Sequence, residues 1–247
     1  MYIDSHAHLF DEKIDLSIVN LDNVDRVLVP TYKMEHLDFV RKFCEANPKF
    51  YLAVGVHPEY IDSFEEGVFC QFVQKHRSKI YAIGEIGVDS GYPNLSRQIE
   101  VLRVQFEVAK VNNLPVSVHL RGDVFEQFFA VMKDFGIACV LHCFSGSEQN
   151  LTQAIERGYY ISFATNLTYK GNVNLRKLAG LVPDDRLLIE TDSPSMAPSG
   201  FPRGSVNTSE NISFVADCLA TVRGVTATHI AKITSQNANN LFFKGKK

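Results

Sequence analysis

Seven residues of metal-binding or proton-transferring type recur inside short apolar runs. His6 and His8 lie in YIDSHAHL, His57 in FYLAVGVHP, Glu85 in IYAIGEIGVD, His119 in LPVSVHL, His142 in IACVLHCF and Asp192 in RLLIETD. Imidazole nitrogens and carboxylate oxygens are ligands of borderline divalent cations. In an extended chain the HxH spacing sends both rings to one face, with Cα atoms roughly 6.6 Å apart, so two nitrogens can converge on one ion. A carboxylate such as Glu85 has two oxygens and can bridge two cations, with His119 and His142 completing a second position. Such a set suits Zn, Mn, Co or Fe, and Mg on its oxygen-rich side.

The runs that carry these residues read as β-strands: Tyr2 to Leu9, Val24 to Pro30, Phe50 to Pro58, Ile80 to Asp89, Leu114 to Leu120, Ile137 to Phe144, Gly158 to Leu167 and Arg186 to Asp192. Helix-like stretches separate them, among them Leu95 to Asn112, Val124 to Phe135 and Glu148 to Arg157, and two more follow the last strand. Between the first two strands there is room only for an abbreviated helix, Ile14 to Asn20. Eight alternations in 247 residues predict an α/β fold, a (β/α)8 TIM-type barrel forming a single domain over residues 1–247, with a doubly wound open sheet as the alternative. Five of the eight histidines then fall at strand ends, where barrels place their functional face. A hydrogen-bonded core position explains any one of them; it does not explain the set. The Pro/Gly/Ser-rich stretch Ser193 to Ser205 follows the eighth strand and reads as an active-site loop.

Composition narrows the partners. Lys and Arg number 25 against 28 Asp and Glu, a net charge of −3, which excludes a broadly basic, nucleic-acid-coating surface and leaves only local contact. Five cysteines without a CxxC pair suggest no disulfide framework, the start MYIDSHAHLF is unlike a signal peptide, and no run is long enough to span a membrane. The expectation is a cytoplasmic protein without a membrane partner.

In order along the chain, DSHAHL, GVHP, GEIGVD, PVSVHLR, HCFSG and ETDSP resemble the motifs of the TatD-type metal-dependent hydrolases, and TSQNANNLF is similar to that family's closing helix. The resemblance covers nearly the whole chain. It implies a two-metal site in a TIM-like barrel: His6, His8 and Asp192 on the first ion, His119 and His142 on the second, Glu85 between them, and His57 against the substrate or its phosphate. Two positions depart from the family pattern, Ser90 and Ser195 standing where aromatics are usual, and they predict weak base stacking and little base preference.

Two cations near one another activate water for in-line phosphoryl displacement. Asp192 is the candidate general base beside them, and Glu85 the second catalytic carboxylate. Arg121, on the strand parity of His119, and Arg203, in the loop after the eighth strand, are candidate phosphate contacts; a salt-bridged rim position is the competing account of each. Glu190 reads as hydrogen-bonded support, Cys139 and Cys143 as packing residues, and Phe125 to Phe129 as a helix face against the barrel. The expected activity is a phosphodiesterase, a deoxyribonuclease trimming DNA ends or acting on small phosphodiesters. The alternatives are a carboxylic ester or amide hydrolase on the same site, such as a D-aminoacyl-tRNA deacylase, and a non-catalytic metal-binding protein.

Overall fold

The computed structural model describes residues 1–244. Eight parallel strands pair in chain order: β1 (Tyr2–Asp4), β2 (Val24–Pro30), β3 (Phe50–Val54), β4 (Ile80–Asp89), β5 (Val116–Arg121), β6 (Cys139–Leu141), β7 (Tyr160–Phe163) and β8 (Leu187–Ile189). The barrel is nearly closed. Where β8 meets β1, Ser5 N–H donates to Ile189 O at 3.2 Å and Asp192 N–H to His6 O at 3.0 Å. Outside lie α1 (His36–Glu45), α2 (Glu66–His76), α3 (Leu95–Val111), α4 (Phe125–Met132), α5 (Glu148–Glu156), α6 (Val173–Leu181), α7 (Ile212–Arg223) and α8 (Ala227–Ala238).

Because both faces of each strand are covered, the strands are apolar at nearly every position. Val27, Val29, Leu52, Val54 and Leu141 join the main core, which takes in the helices, while the alternate residues Ile3, Leu28, Ala53, Ala82, Val140 and Leu188 form a separate inner cluster with Leu241, Phe242 and Phe243. Phe125, Phe128 and Phe129 of α4 are buried in the main core, as their spacing implies.

Six of the strands are shorter at their C-terminal or both ends than the sequence patterns suggest, or are offset by a residue or two. At the barrel mouth, side-chain oxygens replace the ladder as partners of the backbone. Asp4 Oδ1 takes the amides of His6 and Thr191, Glu190 Oε1 that of Cys143, and Thr31 Oγ1 that of Gly55. His6, His8, His57, His142 and Asp192 therefore sit just beyond their strands, on irregular backbone, and only Glu85 and His119 lie within a ladder. The abbreviated helix expected over Ile14 to Asn20 is replaced by turns. Asp11, Asp15 and Asn20 each accept the amide two residues on, at 2.9, 3.0 and 2.7 Å, which competes with helical hydrogen bonding.

Candidate metal centre

Glu85 stands at the middle of the candidate site. Its Oε2 is 3.3 Å from His8 Nε2 and 3.5 Å from His6 Nε2. Its Oε1 is 2.9 Å from both His119 Nδ1 and His142 Nε2. Each oxygen thus faces its own pair of imidazoles. The two nitrogens of the first pair are 3.2 Å apart and those of the second 3.3 Å. Asp192 enters from the β8 side, with Oδ1 3.8 Å from His6 Nε2; its backbone is left-handed at φ 54°, a region Asp tolerates better than most residues. Three groups of possible ligands emerge, each with its atoms within 4.8 Å of one another: His6, His8 and Glu85; His6, His142 and Asp192; His57, Glu85 and His119.

The outward hydrogen bonds decide which nitrogens are free to coordinate. His8 Nδ1 donates to Pro30 O at 3.2 Å, His142 Nδ1 to Glu190 Oε1 at 3.1 Å and His119 Nε2 to Asp89 Oδ2 at 3.1 Å. In the neutral ring each bond puts the proton outside and turns a lone pair inward, the arrangement by which outer partners orient metal-binding imidazoles. His57 is the opposite case. Its Nδ1 accepts Glu59 N–H at 3.1 Å, so the proton of the neutral ring is on Nε2, 3.7 Å from Glu85 Oε1. In its neutral form His57 thus presents an N–H, and not a lone pair, toward Glu85.

Electrostatics agree with a cage built around positive charge. Burial works against an ionised Glu85, yet His142, His57, His6 and His119 together hold it well below the usual carboxylate range. Burial also opposes charge on His142, but Glu85 and Glu190 outweigh it and push the ring up to about 10. A proton on His142 does there what a cation would do. His8 is likewise raised, its burial outweighed by Glu85 and Asp192. His57 goes the other way, down to about 3, through burial and the neighbouring histidines. Converging lone pairs around an anionic, buried carboxylate are the chemistry of a divalent-cation site, and these residues fit one.

The remaining predicted residues divide. Arg121 ends β5, its Nη1 donating to Leu120 O at 2.9 Å and to Ser145 Oγ at 3.1 Å, and its charge is coupled to Asp192 and Glu85. Arg203 is exposed and lines an adjoining groove of about 490 Å³ with Lys13, Tyr169 and the loop after β8; it is not brought to the histidine cluster. Glu190, fully buried, holds His142 and the Cys143 amide. Cys139 and Cys143 are buried and outside the groups of possible ligands. Ser90 donates to Arg121 O at 3.4 Å, and Ser195 lines a mouth cavity of about 230 Å³ whose floor is His8, His57 and Glu85. Three features escaped the sequence. Asp89 shares strand parity with Glu85, and Asp4 with His6 and His8, which could have flagged both. Tyr32 and Tyr60, which line the same cavity, carry no local signal.

A profile of the family described as TatD related DNase matches residues 3–243. The uncharacterized metal-dependent hydrolase YabD of Bacillus subtilis is 32% identical over 254 residues, spanning 98% of this chain and 99% of its own. The crystal structure of the TatD homologue YjjV from Escherichia coli K12 superimposes with a TM-score of 0.91 at 28% identity, covering 98% of this chain and 97% of that one. The mouse protein TATDN3, whose name carries a deoxyribonuclease assignment, is 27% identical over 98% of this chain and 88% of its own. Among the described residues no helix is long and apolar enough to cross a membrane.

Proposed function

This chain belongs to the TatD-related DNase family of metal-dependent hydrolases, and from that premise we propose that it hydrolyses phosphodiesters as an exonuclease-like deoxyribonuclease acting at DNA ends. The observation that carries the reading is the division of Glu85, with one oxygen toward His6 and His8 and the other toward His119 and His142. Two divalent ions (Zn, Mn, Mg, Co or Fe) fit that division, with His6, His8 and Asp192 on one, His119 and His142 on the other, and Glu85 between. Such ions, when bound, lower the pKa of water, hold a substrate oxygen and offset charge in an in-line displacement.

The chain's own groups supply the rest. Asp192, whose side chain is 17% exposed, faces both the cluster and solvent and takes the proton of the attacking water. His57 hydrogen-bonds a phosphate oxygen through its Nε2–H; with its basicity so low, it remains a neutral donor across the physiological range. Arg121 adds a positive charge beside Asp192, and Arg203 addresses backbone beyond the mouth through the adjoining groove. The five free cysteines accord with action in the reducing cytoplasm.

The test is cleavage of end-labelled linear, single-stranded and closed circular DNA across a salt series with added divalent metal, beside a panel of carboxylic esters including aminoacyl esters. Contact with one to three phosphates predicts attack from ends and a log–log salt slope of roughly −1 to −2 on single strands. Preferential cutting of circles, or a steep slope, refutes end trimming. Robust ester hydrolysis with all DNA left intact would move the assignment to a carboxylic ester or amide hydrolase such as a D-aminoacyl-tRNA deacylase.

A further inference from the structure

Phosphodiester chemistry at Glu85 leaves one feature of the mouth without a role. Tyr32 follows β2, and Tyr60 lies in the short 3-10 segment Pro58–Ser63 that follows β3, so two neighbouring strands deliver both rings to the same side of the opening. Both line the cavity floored by His8, His57 and Glu85. We infer that Tyr32 and Tyr60 form a stacking platform for the aromatic base of the nucleotide being hydrolysed. The inference rests on the phosphodiesterase reading and adds a substrate determinant to it.

Geometry favours a platform over a slot. The two tyrosine rings are 5.5 Å apart and tilted by 37°, already in mutual contact, so a third ring lies across them and not between them. Tyr32 is edge-on to His8 at 5.3 Å, which places the platform one sugar away from the candidate metal centre. It is also held in place before any ligand arrives. Phe10 stacks on Tyr32 at 5.7 Å and His36 meets it edge-on at 4.4 Å, so little side-chain freedom remains to be lost on binding. Lys33 Nζ stands 5.8 Å from the centre of the Tyr60 ring.

The charge of the same cavity selects the occupant. Besides Glu85 at its floor, Asp11 and Glu59 line it against the cation Lys13, with Lys33 outside the lining beside Tyr60. Two carboxylates there repel a second phosphate, whereas a base is uncharged and carries N–H groups that a carboxylate accepts. Ser195 lines the same cavity with a side chain small enough to take up little of its space. The aromatic surface missing at Ser90 and Ser195 is supplied in this reading by the loops after β2 and β3, and stacking on it is indifferent to the identity of the base.

The experiment compares kcat/KM of the metal-loaded protein on a short single-stranded oligonucleotide with that on the same oligonucleotide carrying abasic terminal nucleotides. Stacking of one base predicts a preference of about five- to hundredfold for the intact substrate. Tyr32→Ala and Tyr60→Ala should each collapse that ratio toward one, and Tyr32→Phe should retain it. A readout independent of turnover is calorimetric binding of deoxyadenosine 5′-monophosphate against deoxyribose 5-phosphate, with the same preference expected. Equal treatment of each pair by the parent protein, or a ratio unchanged in both alanine variants, would overturn the platform. DNA left uncut while the binding preference persists would refute the phosphodiesterase reading and still support the platform.

Discussion

Asp4→Asn isolates a buried charge beneath the candidate metal centre. Asp4 ends β1 with no exposed surface. Its Oδ1 accepts the amides of His6 at 3.3 Å and Thr191 at 3.0 Å, and its Oδ2 the hydroxyls of Thr191 and Ser209, both at 2.6 Å. Burial nevertheless pushes the carboxyl from 3.8 up to about 7, against those four bonds. The folded value lies above the unfolded one, so as pH rises from about 4 the unfolded chain releases its proton first. Stability is lost through that window, and the loss is complete above about 7. At about 1.4 kcal/mol for each tenfold change in proton affinity, the gap is worth about 4 kcal/mol. Asparagine removes the charge and stays satisfied. Its oxygen keeps the two amides, while its NH2 donates to the two hydroxyls, that of Thr191 turning to Ser193 Oγ at 2.7 Å. The stability difference, variant minus parent, should therefore rise by about 4 kcal/mol between pH 4 and pH 8. Urea unfolding of chelator-treated proteins, followed by far-UV circular dichroism, measures it. A difference that stays level across that range would refute the argument that burial of the Asp4 charge outweighs its four hydrogen bonds.

Other perturbations probe the site from different directions. Glu190→Gln weakens the anchor of His142 Nδ1 and should lower metal affinity about 10- to 100-fold in chelator competition; unchanged affinity would remove Glu190 from that role. Asp192→Asn should reduce kcat about 10²- to 10⁴-fold with far less change in KM. Metal content must be measured alongside, since near-normal turnover at normal loading excludes Asp192 as the base. Gly87 pairs with His119 in the β4–β5 ladder, and a Cβ at position 87 would lie 1.8 Å from His119 O. Gly87→Ala should therefore cost about 3 kcal/mol or more and drag His119 out of register; a thermal melt matching the parent's would contradict the close approach.

Much of the architecture was legible in the chain. All eight strands, and the named helices other than Ile14 to Asn20, follow from apolar runs and turn signals, because strands covered on both faces and helices covered on one leave local patterns. The residues at the mouth were legible for a related reason: imidazoles and carboxylates at the ends of apolar strands have no packing role, and their identity advertises chemistry. Local competition was harder to read, as in residues 11–20, where Asx turns displaced the expected helix.

What remained invisible depends on pieces of chain brought together from afar. Glu85 divides its oxygens between His6 and His8 on one side and His119 and His142 on the other only because closure of the sheet brings the end of distant β1, as well as the ends of adjoining β5 and nearby β6, around β4. The inward nitrogens of His8, His119 and His142 are chosen by Pro30, Asp89 and Glu190, and His57 is made a donor by the Glu59 amide. The sequence by itself determined which chemical groups stand at the mouth and in what order. Tertiary structure alone decided which lone pair meets which oxygen and that Tyr32 and Tyr60 share a wall with them. Hydrogen-bond direction and ring placement are set by the register and closure of strands far apart in the chain, and no local pattern records those distances.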